Sequence, residues 1–354
     1  MKLHILHDFK DGPWGGGNQF LKALREELRK KDRYSETFEN ADAYLLNAFP
    51  FRRMEFFLDT LKQKIKYNKP IFYRLDGLFY VNRLNDNDRY IDNLCTNYLN
   101  NFSSGVVYQT EWIKEIQQDF GVDKTIPSIV CLNAPSSEIF KYQDIIFPEK
   151  GEKIKFVATC WAPNERKGFK YYKFLDENLD FSKYEMTFIG NSPIEFKNIK
   201  MKKPLATNEI AEELKNYHAF ISCAFNEPCS NSLIEALHTG IPALGHNSGG
   251  TPDIIKDSGV LFNNEDDIVD SVDKLSKDLK NYSNKIELPT IEQVAENYYN
   301  FMLEQYNNRE KSNLTMFDYK RFRDLLISSG LIETKILKVK KIIVRCLRWT
   351  GLKK

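Results

Sequence analysis

The chain has 354 residues, of which 42% are hydrophobic and 28% charged, a globular balance that excludes wholesale disorder and allows two cores. Its formal net charge of +2 excludes nucleic-acid binding by bulk charge. No apolar run approaches the ~18 residues of a membrane-crossing helix. Asp8 arrives too early for the apolar core of a signal peptide, so a cytoplasmic protein is expected. Cys95, Cys131, Cys160, Cys223, Cys229 and Cys346 are scattered without a C-x-x-C pair. They read as reduced thiols rather than a zinc site, and no metal is expected.

Apolar strand patterns alternate with amphipathic helix patterns along the chain. Strands are predicted over 3–9, 43–49, 70–74, 106–109 and 128–132, with a helix over 19–31 and further helical patterns between most strands. The polar stretch 147–152 reads as a linker. Strands over 154–159, 185–189, 219–222 and 242–245 follow, with helices over 169–177, 208–217, 230–239, 268–279 and 291–306. This alternation predicts an α/β protein of two successive doubly wound parallel sheets with a cleft between them. The expected domains are 1–148, 149–308 with a crossover helix, and a helical tail over 309–354, set apart from about residue 316.

Two carboxylates stand out. Glu227 follows the strand that ends near Ser222, and Glu235 lies eight residues later. On one continuous helix they would sit about 80° apart and ~12 Å along the axis, too far for a simple glycosidase pair. With Glu227 on a loop, both could face one elongated ligand. Pro228 suits a helix start, and Ser230, Asn231 or Ser232 can cap it. The free N–H groups and dipole at that start attract phosphate, while the flanking carboxylates suit hydroxyls. The layout fits a sugar–diphosphate–ribose ligand. Spacing alone is equally compatible with a loop carboxylate and a solvated helix residue.

These residues carry a family resemblance. Glu227 and Glu235, then Ala236-Leu-His-Thr-Gly-Ile-Pro-Ala243, Ser248-Gly-Gly-Thr-Pro-Asp-Ile-Ile255 and Gly259-Val-Leu-Phe262, resemble the donor half of a GT-B-fold glycosyltransferase of retaining family 4. The resemblance is strong over 220–262 and weaker over the rest of 1–305. It implies that Glu227 holds hydroxyls of the donor sugar and Glu235 the ribose hydroxyls. Backbone N–H groups near Ser230, Asn231 and Ser232 would take the diphosphate. Gly249 and Gly250 would let backbone approach the ligand. His246, close by, is a further candidate to touch the nucleotide. Asp253 stands where the family often has Glu.

Lys167-Gly168 matches the family's lysine, which would neutralise the leaving diphosphate. The family's arginine precedes that lysine by five or six residues, where this chain has Trp161 and Ala162. The early loop Gly12-Pro-Trp-Gly-Gly-Gly-Asn18 lacks the dinucleotide fingerprint, because Phe20 replaces its last glycine. In GT-B enzymes that loop borders the cleft, which makes Gly16 and Gly17 candidates. Asp76, after the strand over 70–74, is the candidate near the acceptor hydroxyl. Arg74 is either structural or a partner for an anionic acceptor.

The segment 335–349 contains no acid. Its apolar and basic residues fall on largely opposite sides of a helical wheel, an interfacial pattern anchored by Trp349. It predicts a tether to an anionic membrane or a helix packed on protein. The reading is a retaining, metal-independent, cofactor-free glycosyltransferase, with nucleotide sugar as donor and a glycan or lipid-linked acceptor in surface polysaccharide synthesis. Alternatives are a catalytically idle glycan-binding protein of the same fold and, more remotely, a nucleotide-dependent oxidoreductase.

Overall fold

The structure is a computed structural model that describes residues 1–12, 15–47, 53–79, 81, 86–149 and 151–332. The first sheet is parallel, in the order β1 (Leu3–Leu6), β2 (Ala43–Asn47), β3 (Ile71–Leu75), β4 (Gly105–Tyr108), β5 (Ser128–Val130). Side chains alternate between its two buried faces. Leu3, Ile5, Leu45, Phe72 and Val107 pack under α1 (Gly16–Lys30). Leu6, Leu46, Tyr73, Val106 and Tyr108 pack under α2 (Glu55–Tyr67), α3 (Asp86–Phe102) and α4 (Glu111–Phe120). Burial on both faces explains why these strands read as nearly continuous apolar runs. The strand predicted at 70–74 starts one residue later. Pro70 has no N–H to give a ladder, and only its carbonyl joins, accepting from Tyr44 N at 3.1 Å.

The second sheet is also parallel, in the order β11 (Gly259–Phe262), β10 (Ala243–His246), β9 (Ala219–Ser222), β6 (Ile154–Cys160), β7 (Tyr184–Gly190), β8 (Lys200–Lys202). Its helices are α5 (Phe169–Asn178), α6 (Thr207–Leu214), α7 (Asn231–His238), α8 (Thr251–Ile255), α9 (Glu265–Ser276) and α10 (Leu279–Asn284). Strand β8 has no counterpart among the predicted elements. It is a three-residue edge strand, Lys-Met-Lys, exposed throughout, and lysines guard such edges against stray pairing. The single helix predicted over 268–279 is two helices. Asn264 caps α9 three residues early through a capping box with Asp267, and the chain turns again before Leu279.

In this sheet the chain winds outward from β6 to β8, then returns to the other flank of β6 with β9. The carboxyl ends of β6 and β9 therefore flank a topological switch point, where a crevice opens.

Two elements late in the chain pack on the first domain, the first of them at the position of the expected crossover helix. The helix α11 (Ile291–Asn307) follows the second sheet in sequence but packs on the first: Val294, Tyr298, Phe301 and Met302 share a core with α1 and β1. Residues 316–328 are not a separate tail. They form α12 (Met316–Ser328), whose Phe322 and Leu326 are buried with Phe57, Tyr98 and Phe102 of the first domain. The basic segment 335–354 lies outside the described residues.

Candidate active site at the switch point

After β6 the chain makes a short 3-10 turn, Glu165–Lys167, and enters α5 through Gly168. Gly168 has φ +73°, and a Cβ there would lie 1.9 Å from the Cys223 carbonyl oxygen. Only glycine permits this approach, and it brings the loops after β6 and β9 together. Phe225 N donates to Arg166 O at 3.0 Å between them. Lys167 Nζ and Glu227 Oε2 meet at 2.8 Å, both side chains about a quarter exposed. The two residues that the sequence places on separate motifs thus form one ion pair.

Beyond Glu227, Ser230 caps α7, its hydroxyl accepting from Leu233 N at 3.4 Å. No acid stands in the first turn of that helix, so its free N–H groups and dipole remain available to an anion. A cavity of about 250 Å³ runs along this end, lined by Thr159, Trp161, Lys167, Glu227, the 230–232 segment and Glu235. Gly15 and Gly16 of the first domain close it. The Glu235 carboxyl makes no hydrogen bond to another described residue, and burial pushes it up to about 8.

A second cavity, of about 290 Å³, lies on the other side of the same pair. Tyr73, Asp76 and Phe79 line it from the first domain, and Arg166, Lys167 and Glu227 from the second. Lys167 and Glu227 therefore form a wall shared by two chambers. Asp76 lines this cavity, and among the described residues its carboxylate accepts from Gly77 N of its own turn at 3.0 Å.

Several predicted site residues take other places. Arg74 does not line the cleft. It is 1% exposed and donates to Asn47 Oδ1 at 2.5 Å and Asn133 Oδ1 at 2.7 Å. Gly16 lines the first cavity, and a Cβ there would lie 2.3 Å from Asn231 Cβ. Gly17 faces open space, with nothing within 4 Å of its Cβ position. The Cβ directions of Gly249 and Gly250 are filled by protein, and neither residue lines the two cavities. A Cβ on Gly249 (φ +62°) would lie 2.6 Å from Glu227 O, and one on Gly250 2.2 Å from Pro228 O. Gly250 N also donates to Glu227 O at 2.9 Å. These glycines let the chain buttress the Glu227 loop.

His246 supports the same loop from behind and lines neither cavity. Its Nδ1 meets Ser248 Oγ at 2.8 Å and its Nε2 meets Tyr171 Oη at 3.1 Å. Ser248 Oγ accepts from Asn226 N at 2.9 Å, so the serine links His246 to the backbone of the Glu227 loop. Burial lowers the pKa of His246 and favours the neutral form.

Sequence reasoning missed the contacts across the domain boundary. Thr110, the cap of α4, donates to Pro228 O at 3.1 Å. Trp112 N donates to Asp253 Oδ2 at 3.1 Å, a use for the aspartate that departs from the family pattern. Asn133 Nδ2 donates to Asn231 Oδ1 at 3.0 Å. Their position just past strand ends was the available signal. Their partners, distant in sequence, were not.

Residues 195–287 match the family Glycosyl transferases group 1. Among curated protein sequences there is no match. The fold is similar to solved GT-B structures. HepE of Anabaena, in complex with UDP, is 13% identical with a TM-score of 0.57 over 87% of this chain and 98% of that one. The lipopolysaccharide outer core galactosyltransferase WaaB is 15% identical with a TM-score of 0.55 over 87% and 98%. Sucrose-phosphate synthase of Thermosynechococcus elongatus is 10% identical with a TM-score of 0.56 over 82% and 78%. The two-sheet fold is of the GT-B type, and the segment that matches Glycosyl transferases group 1 lies on the second-domain side of the cleft.

Proposed function

We propose that the chain is a retaining, metal-independent glycosyltransferase that moves a sugar from a nucleoside-diphosphate sugar to a glycan or lipid-linked acceptor in surface polysaccharide synthesis. The observation that carries this reading is the Lys167–Glu227 pair, standing between two cavities beside the anion-attracting start of α7. Nucleotide in neighbouring structures supports the donor class: HepE of Anabaena is described with UDP-glucose and a starch synthase of Arabidopsis with ADP.

In this reading the ribose hydroxyls meet Glu235, and the diphosphate meets the N–H groups of Asn231 and Ser232 together with Lys167. The incoming diphosphate draws Lys167 from Glu227, and the freed carboxylate takes hydroxyls of the donor sugar. The acceptor hydroxyl enters from the Asp76 chamber. Its oxygen bonds to the anomeric carbon as the bond to the diphosphate breaks on the same face. The acceptor proton passes to the departing phosphate oxygen, and configuration is retained. Lys167 and the helix dipole stabilise the leaving charge. Domain closure would exclude water from the transferring sugar.

A thermal-shift panel of UDP, GDP, ADP and their sugars, with and without EDTA, tests the donor. One nucleotide sugar should stabilise the protein independently of EDTA. Glu227→Gln should lower kcat by about 10²-fold while nucleotide affinity stays nearly constant. Glu235→Ala should weaken nucleotide binding about 10- to 100-fold through lost hydrogen bonds to the ribose hydroxyls. Equal, negligible effects of both substitutions would sink the site assignment. The oxidoreductase alternative rests on the first glycine loop, and a chain that binds NAD but no nucleotide sugar would revive it. Donor binding without turnover would favour the idle glycan-binding protein.

A further inference from the structure

Arg74, the penultimate residue of β3, is 1% exposed. Its contacts are neutral: the side-chain oxygens of Asn47 and Asn133, and the ring of Phe20 with its centroid 4.8 Å from the guanidinium carbon. It forms no ion pair with a described residue, and its Nε is buried without a hydrogen bond. A cation so removed from water is costly unless an anion compensates it. Among the described residues none does.

The hydrogen bonds leading from Arg74 point to where one would arrive. Asn133 accepts from Arg74 at 2.7 Å and donates to Asn231 at 3.0 Å. Asn231 is the first residue of α7. Arg74 also acts on Cys229, immediately before the Ser230 cap: burial pushes that thiol up to about 12, and the Arg74 charge works against the rise. On the other side of the cavity the loop after β6 offers Lys167, already paired with Glu227.

We propose that Arg74 is a positioning residue for the donor's diphosphate. It raises the positive potential at the start of α7 from the opposite domain and, through Asn133 and Asn231, holds that helix end in register. It touches no ligand. The idea rests on the donor-site reading above. It assigns Arg74 neither a purely structural role nor one toward an acceptor.

The test is calorimetric titration of three ligands: the nucleoside diphosphate that stabilises the protein most among UDP, GDP and ADP, its parent nucleoside, and inorganic pyrophosphate. Arg74→Gln should weaken the nucleoside diphosphate and pyrophosphate about tenfold, equivalent to about 1.4 kcal/mol, and leave the nucleoside unchanged. Arg74→Lys should restore much of the loss. The loss should persist at high salt, because the charge is buried. Equal weakening of diphosphate and nucleoside, or no weakening of diphosphate, overturns the proposal. If Arg74→Gln does not fold, Asn231→Ala carries the test, since it keeps the backbone N–H. A severalfold loss for diphosphate alone supports the relay, and a proportionate loss for both ligands, or none, overturns it. Wild-type protein that binds no nucleoside diphosphate and no pyrophosphate would sink the donor reading and this proposal together, whereas normal binding with unchanged selectivity sinks only the proposal.

Discussion

Glu235 lies on the cavity side of α7 with a carboxyl held near 8 by burial. Below its ordinary pKa of 4.5 the group is protonated in both folded and unfolded chains and leaves stability unchanged. Between 4.5 and about 8 the unfolded chain ionises while the folded one keeps its proton, so stability falls as pH rises. Glu235→Gln should therefore make the ligand-free protein about 1–3 kcal/mol more stable at pH 8, with no difference near pH 4. Thermal melts at the two pH values measure this, and a pH-independent difference would refute it. Gly250 offers a second residue-scale test. Its missing Cβ would overlap Pro228 O and Thr110 Cγ2, so Gly250→Ala should displace the Glu227 loop. An overpacking cost of about 1–3 kcal/mol should accompany a large loss of kcat with donor affinity less affected.

At the scale of elements, α12 is part of the first domain. Phe322 is 3% exposed and meets the rings of Phe57, Tyr98 and Phe102. Phe322→Ala should cost about 3–5 kcal/mol, read from denaturant unfolding. A loss under 1 kcal/mol would show that α12 is only loosely attached. The segment 333–354 tests the proposed membrane tether. Its deletion should abolish cosedimentation with anionic vesicles and leave the melting temperature unchanged. Unchanged vesicle binding would remove the tether.

Across the whole molecule, the two domains share a helix and a set of hydrogen bonds. Because α11 covers the first domain after the chain has built the second, residues 1–149 alone would expose Phe20 and Phe72, which pack on Tyr298 and Phe301. That chain should be insoluble or molten, while residues 1–149 joined to 289–332 should fold. Circular dichroism and amide dispersion distinguish the two outcomes. Thr110–Pro228, Trp112–Asp253 and Asn133–Asn231 hold the cleft in the arrangement seen here, and closure around donor would have to rearrange or tighten them.

Much of this was legible in the sequence, for local reasons. Apolar runs between turn residues mark strands β1 to β7 and β9 to β10, and Ser230 and Gly240 bracket the helix that carries Glu235. The pair Glu227 and Glu235 with the adjacent motifs marked the segment that matches Glycosyl transferases group 1. What local chemistry could not encode is distance between segments far apart in sequence. The Lys167–Glu227 pair joins residues 60 positions apart. The glycines at 249 and 250 read as a close approach of backbone to ligand, and only packing shows that their Cβ directions meet residues 226–228 and Thr110. Arg74 read as either structural or a partner for an anionic acceptor, and alternation along β3 turns its side chain inward onto Asn133. β8 was invisible because its three residues, Lys-Met-Lys, are exposed and too few for an apolar run, and pairing with β7 alone makes them a strand. Periodicity and caps act over a few residues and survive in any context, whereas a site and its supports form only when the sheets bring distant loops within hydrogen-bond reach.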